Sequence, residues 1–228
     1  MNALKGHFPE QRKIAKIIPI TKPGKNDSCD PSKYRPISPI NIEVKLLEKL
    51  LINRIMRHLY KTKFLNHNQF GFIPQKSTTD AAMTVKQFIG RELERRRVVI
   101  MSSLDVKGAF DAAWWPAILR GLREVKCPRN LYQLSRDYFK DRRVIMLTNS
   151  RKMEKIISKG CPQGSCCGPG YWTILYNSLL NIKFTHHTKA IAFAYDLVIM
   201  TKAESILEAE NVMKAELRKI TWARENKL

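Results

Sequence analysis

Two carboxylates stand at the ends of apolar runs in this chain, and they are the residues best suited to do chemistry. Asp105 closes the run VVIMSSL and is followed by a small-residue turn, within residues 102–115, SSLDVKGAFDAAWW. Asp196 lies between two apolar arms in residues 190–200, AIAFAYDLVIM. A mostly β-branched or apolar run of this kind is expected to form a strand buried on both faces. A carboxylate at a buried strand end is costly unless it is paired, hydrogen-bonded or on a metal, so Asp105 asks for a partner. Two such strands side by side would bring Asp105 and Asp196 together. Asp105 also suits an N-cap of the following turn or helix, where Asp is common, and the stretch alone leaves both roles open.

A third stretch with chemical potential is residues 159–170, KGCPQGSCCGPG, the most glycine-rich in the chain. Gly160, Gly164 and Gly168, with Pro162 and Pro169, would let backbone approach a ligand closely ahead of a helix over 171–180. The spacing matches neither the dinucleotide nor the Walker pattern; an ordinary turn is the plainer alternative.

The elements that must hold these residues follow from periodicity and punctuation. Residues 14–20 predict a short strand, with Pro19 hinting at an edge, leading into the basic turn Lys22-Pro23-Gly24-Lys25. Over 42–60, Val44, Leu47, Leu51 and Ile55 recur at helical spacing, with Leu46, Leu50 and Leu59 widening the stripe. Lys45, Lys49, Arg54, Arg57 and Lys61 fall largely off it, as a solvated basic face or a phosphate-contacting one. Ser77 to Asp80 supplies N-cap chemistry for a helix over 79–97, whose final Arg95-Arg96-Arg97 suits the negative end of the helix dipole. Further helices are expected over about 115–124 and 130–139, a β-hairpin over 144–148 and 153–159 around Asn149-Ser150, and a long amphipathic helix over 203–222.

Composition narrows the class. The chain has 228 residues, 44% of them hydrophobic, which suffices for a sizeable core. Lys and Arg number 41 against 20 Asp and Glu, a net charge of +21. That excess favours a polyanionic partner, with nucleic acid ahead of a membrane surface. Cys29, Cys127, Cys161, Cys166 and Cys167 form no C-x-x-C pair and have no neighbouring ligand histidines, so neither a disulfide framework nor a zinc site is indicated. A reducing, intracellular compartment, nuclear or cytoplasmic, is the expectation, and no run approaches the ~20 apolar residues that span a bilayer.

Taken in order, KPGK, YRPIS, NQFGF with STTDA, SLDVKGAFD, KGCPQGS with GP, and AFAYD resemble the successive blocks of a LINE-type reverse transcriptase, close to those of jockey-like non-LTR retrotransposons. The resemblance implies an α+β fold, the fingers (about 1–97) and palm (about 98–228) of a right-hand polymerase without its thumb, with an antiparallel palm sheet packed on helices. It implies RNA-directed DNA polymerisation, with an RNA template, a DNA primer and deoxynucleoside triphosphates as partners. Two Mg²⁺ or Mn²⁺ ions would be held by Asp105, the Val106 carbonyl and Asp196. Phe110 would match the aromatic gate under the sugar, with plain core packing as its alternative. Gln163 and Gly164 would lie against template and nucleotide, and Arg35, with Lys22 and Lys25, would face the triphosphate. Tyr34, Phe70 and Phe72 could touch bases, though core packing suits the two phenylalanines better.

One departure stands out. The family reads Phe-Ala-Asp-Asp or Tyr-Ala-Asp-Asp where this chain reads Phe193-Ala194-Tyr195-Asp196. Tyr195 fills the position of the first carboxylate, and a phenol is neutral at pH 7. The resemblance therefore implies a catalytically impaired polymerase, or a dead nucleic-acid-binding relic of the same fold.

Overall fold

The computed structural model describes residues 6–24, 29–106, 108–148 and 151–227. Lys25 and the expected Asn149-Ser150 turn lie outside them. In chain order the elements are β1 (Ile14–Thr21), β2 (Tyr34–Ile37), α1 (Ile42–Lys61), α2 (Thr78–Glu94), β3 (Val98–Asp105), α3 (Ala109–Ala112), α4 (Trp115–Glu124) and α5 (Arg129–Phe139). Then come β4 (Arg143–Leu147), β5 (Lys152–Ile156), α6 (Gly168–Leu180), β6 (Thr188–Phe193), β7 (Asp196–Ala203), α7 (Ile206–Arg218) and α8 (Trp222–Glu225). The long C-terminal helix expected over 203–222 is thus the shorter α7, and α8 begins only at Trp222. The chain forms two units, one of Met1–Thr62 with Phe110–Trp172, the other of Lys63–Ala109 with Thr173–Leu228.

The first unit carries a mixed sheet in the order β2-β1-β4-β5. β1 pairs parallel with β4 through Ile14 to Ile17, then antiparallel with β2 through Ile18 to Thr21. So Pro19 is not on an edge strand as its type suggested. It sits past the end of the β4 pairing, where one side of β1 needs no ladder donor. Beside the sheet the core is aromatic: Phe8 meets Tyr138 edge-on at 5.0 Å, Trp115 stacks on Phe139 at 5.2 Å, and Phe139 lies 4.7 Å from Tyr171. Such pairs add directional preference to a large buried area.

Helix α1 buries most of the stripe its periodicity predicts, but leaves two of the leucines out and takes a glutamate in. Leu46 and Leu50 are exposed, whereas Glu48 and Ile52 are buried beside Val44, Leu51, Ile55 and Leu59. The reason is polar. The Glu48 carboxylate accepts hydrogen bonds from the Ser165 hydroxyl at 2.8 Å, the Cys166 amide at 2.7 Å and the Tyr138 hydroxyl at 3.1 Å. A buried carboxylate so supplied with donors is tolerated, and it ties α1 to the glycine-rich segment.

The second unit is built on an antiparallel sheet, β3-β7-β6, with α2 and α7 packed on it. Phe70, Ala81, Ile191 and Met200 form its core, with Val85, Phe88 and Ile89 of α2 against them. A capping box starts α2: Ser77 accepts from the Asp80 amide while Asp80 accepts from the Ser77 amide. Arg95 and Arg97 at its end pair with the buried Glu92, which Lys202 of β7 also meets at 3.0 Å. β3 is not buried on both faces as its apolar run suggested. Met101, Ser103 and Asp105 are exposed in alternation because β3 is the edge strand, whereas Met200, opposite Met101 on the central strand β7, is buried.

Candidate active site

The register of the second unit brings the two predicted carboxylates together. β3 and β7 pair over their whole lengths, and the last pair is Asp105 opposite Asp196. Directly opposed residues of an antiparallel pair share a face, with Cβ atoms ~4.5–5.5 Å apart. Both residues are exposed, so Asp105 does not carry the desolvation cost of a buried strand end. The residues around Asp196 are not one strand but a hairpin. β6 ends at Phe193, β7 begins at Asp196, and Ala194-Tyr195 make the turn, with Ala194 at φ +57°. A positive φ at the first of two central residues is the feature of a type II′ hairpin turn. Tyr195 is therefore at the hairpin tip, 39% exposed, beside the carboxylate pair rather than on a strand face.

Three contacts set the position of that tip. The Tyr176 hydroxyl of α6, itself fully buried, donates to the Tyr195 carbonyl at 3.0 Å. Burial first, then the charges of Asp196 and Asp105, push the Tyr176 phenol up, so its hydroxyl stays a donor. The NQFGF block adds a short parallel stretch beside β6: the Phe70 amide donates to the Ala192 carbonyl at 2.8 Å and the Ala192 amide to that of Asn68 at 3.0 Å. Gly71 then passes directly over the turn, where an added Cβ would lie 1.8 Å from the Ala194 nitrogen. Only glycine permits that approach. Phe70 is core, as its type suggests; Phe72 is 40% exposed with φ +60°.

The donor set fits a hard divalent cation. Asp105 and Asp196 offer carboxylate oxygens on one face, and the Val106 carbonyl, which accepts one hydrogen bond from the Ala109 amide at 3.2 Å, keeps a second lone pair. Mg²⁺ binds through one or two carboxylates while retaining waters and taking substrate phosphates. No third acid, histidine or cysteine joins them among the described residues.

The remaining predicted residues lie in the first unit. Gln163 is bridged to Ile37, and its carbonyl accepts from the Ser38 amide at 2.8 Å. Gly164, at φ +123°, lies where a Cβ would be 2.6 Å from the Ser38 carbonyl oxygen, so its close approach is to the protein's own backbone. The Phe110 ring lies 6.1 Å from Trp172 and its carbonyl accepts from the Cys161 amide at 2.7 Å. Arg35 is exposed on β2 opposite Ile20. Lys22 donates to the Ser32 carbonyl at 2.8 Å; burial pushes the carboxyl of Asp111 up, with Gln163 and the charge of Lys22 opposing. Asp111, Glu48 and Tyr176 were not singled out by the sequence. Asp111 carried a signal in being the second acid of the Asp105 block; a lone tyrosine in the apolar run YWTILYNSLL carried none.

Comparison with known proteins identifies the family. Residues 20–226 match the family model described as reverse transcriptase (RNA-dependent DNA polymerase). The chain is 32% identical over 225 residues to the putative 115 kDa protein in type-1 retrotransposable element R1DM of Drosophila melanogaster, covering 96% of this chain and 21% of that one. It is 31% identical over 218 residues to the RNA-directed DNA polymerase from mobile element jockey of Drosophila funebris, covering 93% and 24%. The chain thus spans less than a quarter of these relatives. Among solved structures, telomerase of Candida tropicalis in complex with a fragment of telomeric RNA matches with a TM-score of 0.69 at 12% identity, over 96% of this chain and 40% of that one. The apo enzyme truncated from its C-terminal domain matches at 0.67 and 14% identity, over 95% and 48%. With an α+β fold shared with telomerase, and 31–32% identity to jockey and R1 relatives over most of its length, this chain belongs to the reverse transcriptase family, in its non-LTR retrotransposon branch.

Proposed function

We propose that this chain supplies the nucleotidyl-transfer centre of an RNA-directed DNA polymerase, and that Tyr195 slows the reaction. The reaction is attack of a primer 3′ hydroxyl on the α-phosphorus of a deoxynucleoside triphosphate along an RNA template. The observation that carries the reading is the pairing of Asp105 with Asp196 across β3 and β7. Those carboxylates and the Val106 carbonyl would hold the divalent ions. The chemistry such ions would supply there is charge stabilisation at the attacking and leaving oxygens.

The chain's own residues divide the other tasks. Lys22, Lys25 and Arg35 meet the triphosphate, Arg35 with a fork that binds phosphate bidentately. Phe110 lies under the sugar and selects against a ribose 2′ hydroxyl, while Gln163 and Gly164 line the nucleotide position. Fingers and palm divide at about residue 97 in this reading. Contacts to primer and template are mainly to the sugar-phosphate backbone, since a polymerase must accept every sequence, and the net charge of +21 serves them. The element acts inside the cell, in nucleus or cytoplasm.

The absence of a third acid, histidine or cysteine at the carboxylate pair among the described residues favours a second reading, an inactive relic that still binds nucleic acid. Extension of a primed RNA template in Mg²⁺ or Mn²⁺ separates the two. The polymerase reading expects slow incorporation that Asp105→Ala lowers by at least about 100-fold, as loss of several kcal/mol of charge stabilisation requires. The relic reading expects strongly salt-dependent binding and no incorporation.

A further inference from the structure

The second acid of the SLDVKGAFD block, Asp111, lies outside the proposed metal site. It lines a cleft of about 160 Å³ in the first unit, together with Ser38, Lys159, Cys161, Gln163 and the apolar Ile17. The Gln163 Nε2 stands 3.4 Å from each of the two Asp111 carboxylate oxygens. Asp111 has exposed surface, yet the cleft walls desolvate its carboxyl and push it up, against the opposing pull of Gln163 and Lys22.

The backbones on both sides of this pair are fixed. Gln163 is held through its carbonyl by the Ser38 amide at 2.8 Å. Around α3, the Cys161 amide donates to the Phe110 carbonyl at 2.7 Å and the Gly160 amide to that of Ala113 at 2.8 Å. What remains free is a half-turn of the Gln163 amide, which exchanges donor and acceptor. A carboxylate only accepts. It therefore selects the rotamer with Nε2 inward and leaves Oε1 facing away as an acceptor.

We propose that Asp111 is a positioning residue that fixes the Gln163 amide, so that this glutamine offers an acceptor to the incoming deoxynucleoside triphosphate. The inference rests on the reading of Gln163 as a nucleotide contact. It extends that reading by assigning the polarity of the contact and the residue that sets it.

A double-mutant cycle tests it. The full chain carries Asp111→Ala, Gln163→Ala or both, and the measured quantity is affinity for a fluorescent deoxynucleoside triphosphate in the presence of primed RNA template. Affinity for the primed template alone reports whether each variant is folded, and Asp111→Asn keeps the shape of the side chain where Asp111→Ala disturbs it. With Asp111 present, Gln163→Ala should weaken nucleotide binding about tenfold, the size of one hydrogen bond. With Asp111→Ala or Asp111→Asn the same change should cost about twofold or less, because the amide is no longer oriented. An equal cost in all three backgrounds would overturn the positioning role and leave Gln163 as a nucleotide contact. If Gln163→Ala costs nothing even beside Asp111, or the unaltered chain holds primed template but no nucleotide, the reading of Gln163 fails and the role of Asp111 fails with it.

Discussion

Tyr195→Asp is expected to raise nucleotide incorporation by at least about 100-fold, equivalent to removing ~2.7 kcal/mol from the barrier. The cause is charge. Asp105 and Asp196 face each other across β3 and β7, and two carboxylates are a thin supply for two divalent ions. A carboxylate at the hairpin tip would add charge beside the pair, whereas a phenol is neutral at pH 7. The fold should tolerate the change. Tyr195 is 39% exposed, and the contact that anchors the tip from α6 uses its carbonyl rather than its side chain. The assay is primer extension on an RNA template, with the chain carried in the frame of a jockey-type relative so that primer and template are held. Equal rates before and after the change would mean that Asp105 and Asp196 suffice and that Tyr195 does not impair the site.

Glu48→Ala is expected to destabilise the chain by about 3 kcal/mol, because buried donors lose a charged acceptor. The Ser165 and Tyr138 hydroxyls and the Cys166 amide all point at that carboxylate. None of them is replaced by solvent at a residue that is fully buried. Urea unfolding should show a lower midpoint with an unchanged slope. Leu46→Ala and Leu50→Ala, on the exposed side of the same helix, should each change stability by no more than about 0.5 kcal/mol. A loss at Leu46 equal to that at Glu48 would mean that Leu46 is packed in the core rather than exposed.

That contrast shows where sequence was legible and where it was not. Asp105 and Asp196 could be found because each interrupts an apolar run, and the strands they end do lie side by side. The hairpin between Phe193 and Asp196 was hidden because Ala194-Tyr195 lacks the Gly or Asn that marks a tight turn. The residues that contact this turn, Gly71 against Ala194 and Tyr176 on the Tyr195 carbonyl, lie elsewhere in the sequence. Glu48 was illegible for the opposite reason. In KLLEKLL it reads as one more solvated charge, and only Ser165 and Tyr138, about a hundred residues on, give it a reason to be inside. Gln163 and Gly164 were visible as a motif, but the close approach of Gly164 to Ser38 depends on where β2 ends. Periodicity reports local faces; contacts of large sequence separation decide which polar residues those faces bury.

The most direct measurement of the central claim is Mn²⁺ binding to the Tyr195→Asp chain, followed by electron paramagnetic resonance, with Asp105→Asn and Asp196→Asn as partners. Each of those two changes removes one hard oxygen charge from the opposed pair without altering side-chain volume. The account predicts that either one weakens Mn²⁺ binding by about tenfold or more, the equivalent of ~1.4 kcal/mol, and that together they abolish it. Mn²⁺ binding that persists unchanged after both substitutions would contradict the assignment of Asp105 and Asp196 as the metal-holding pair.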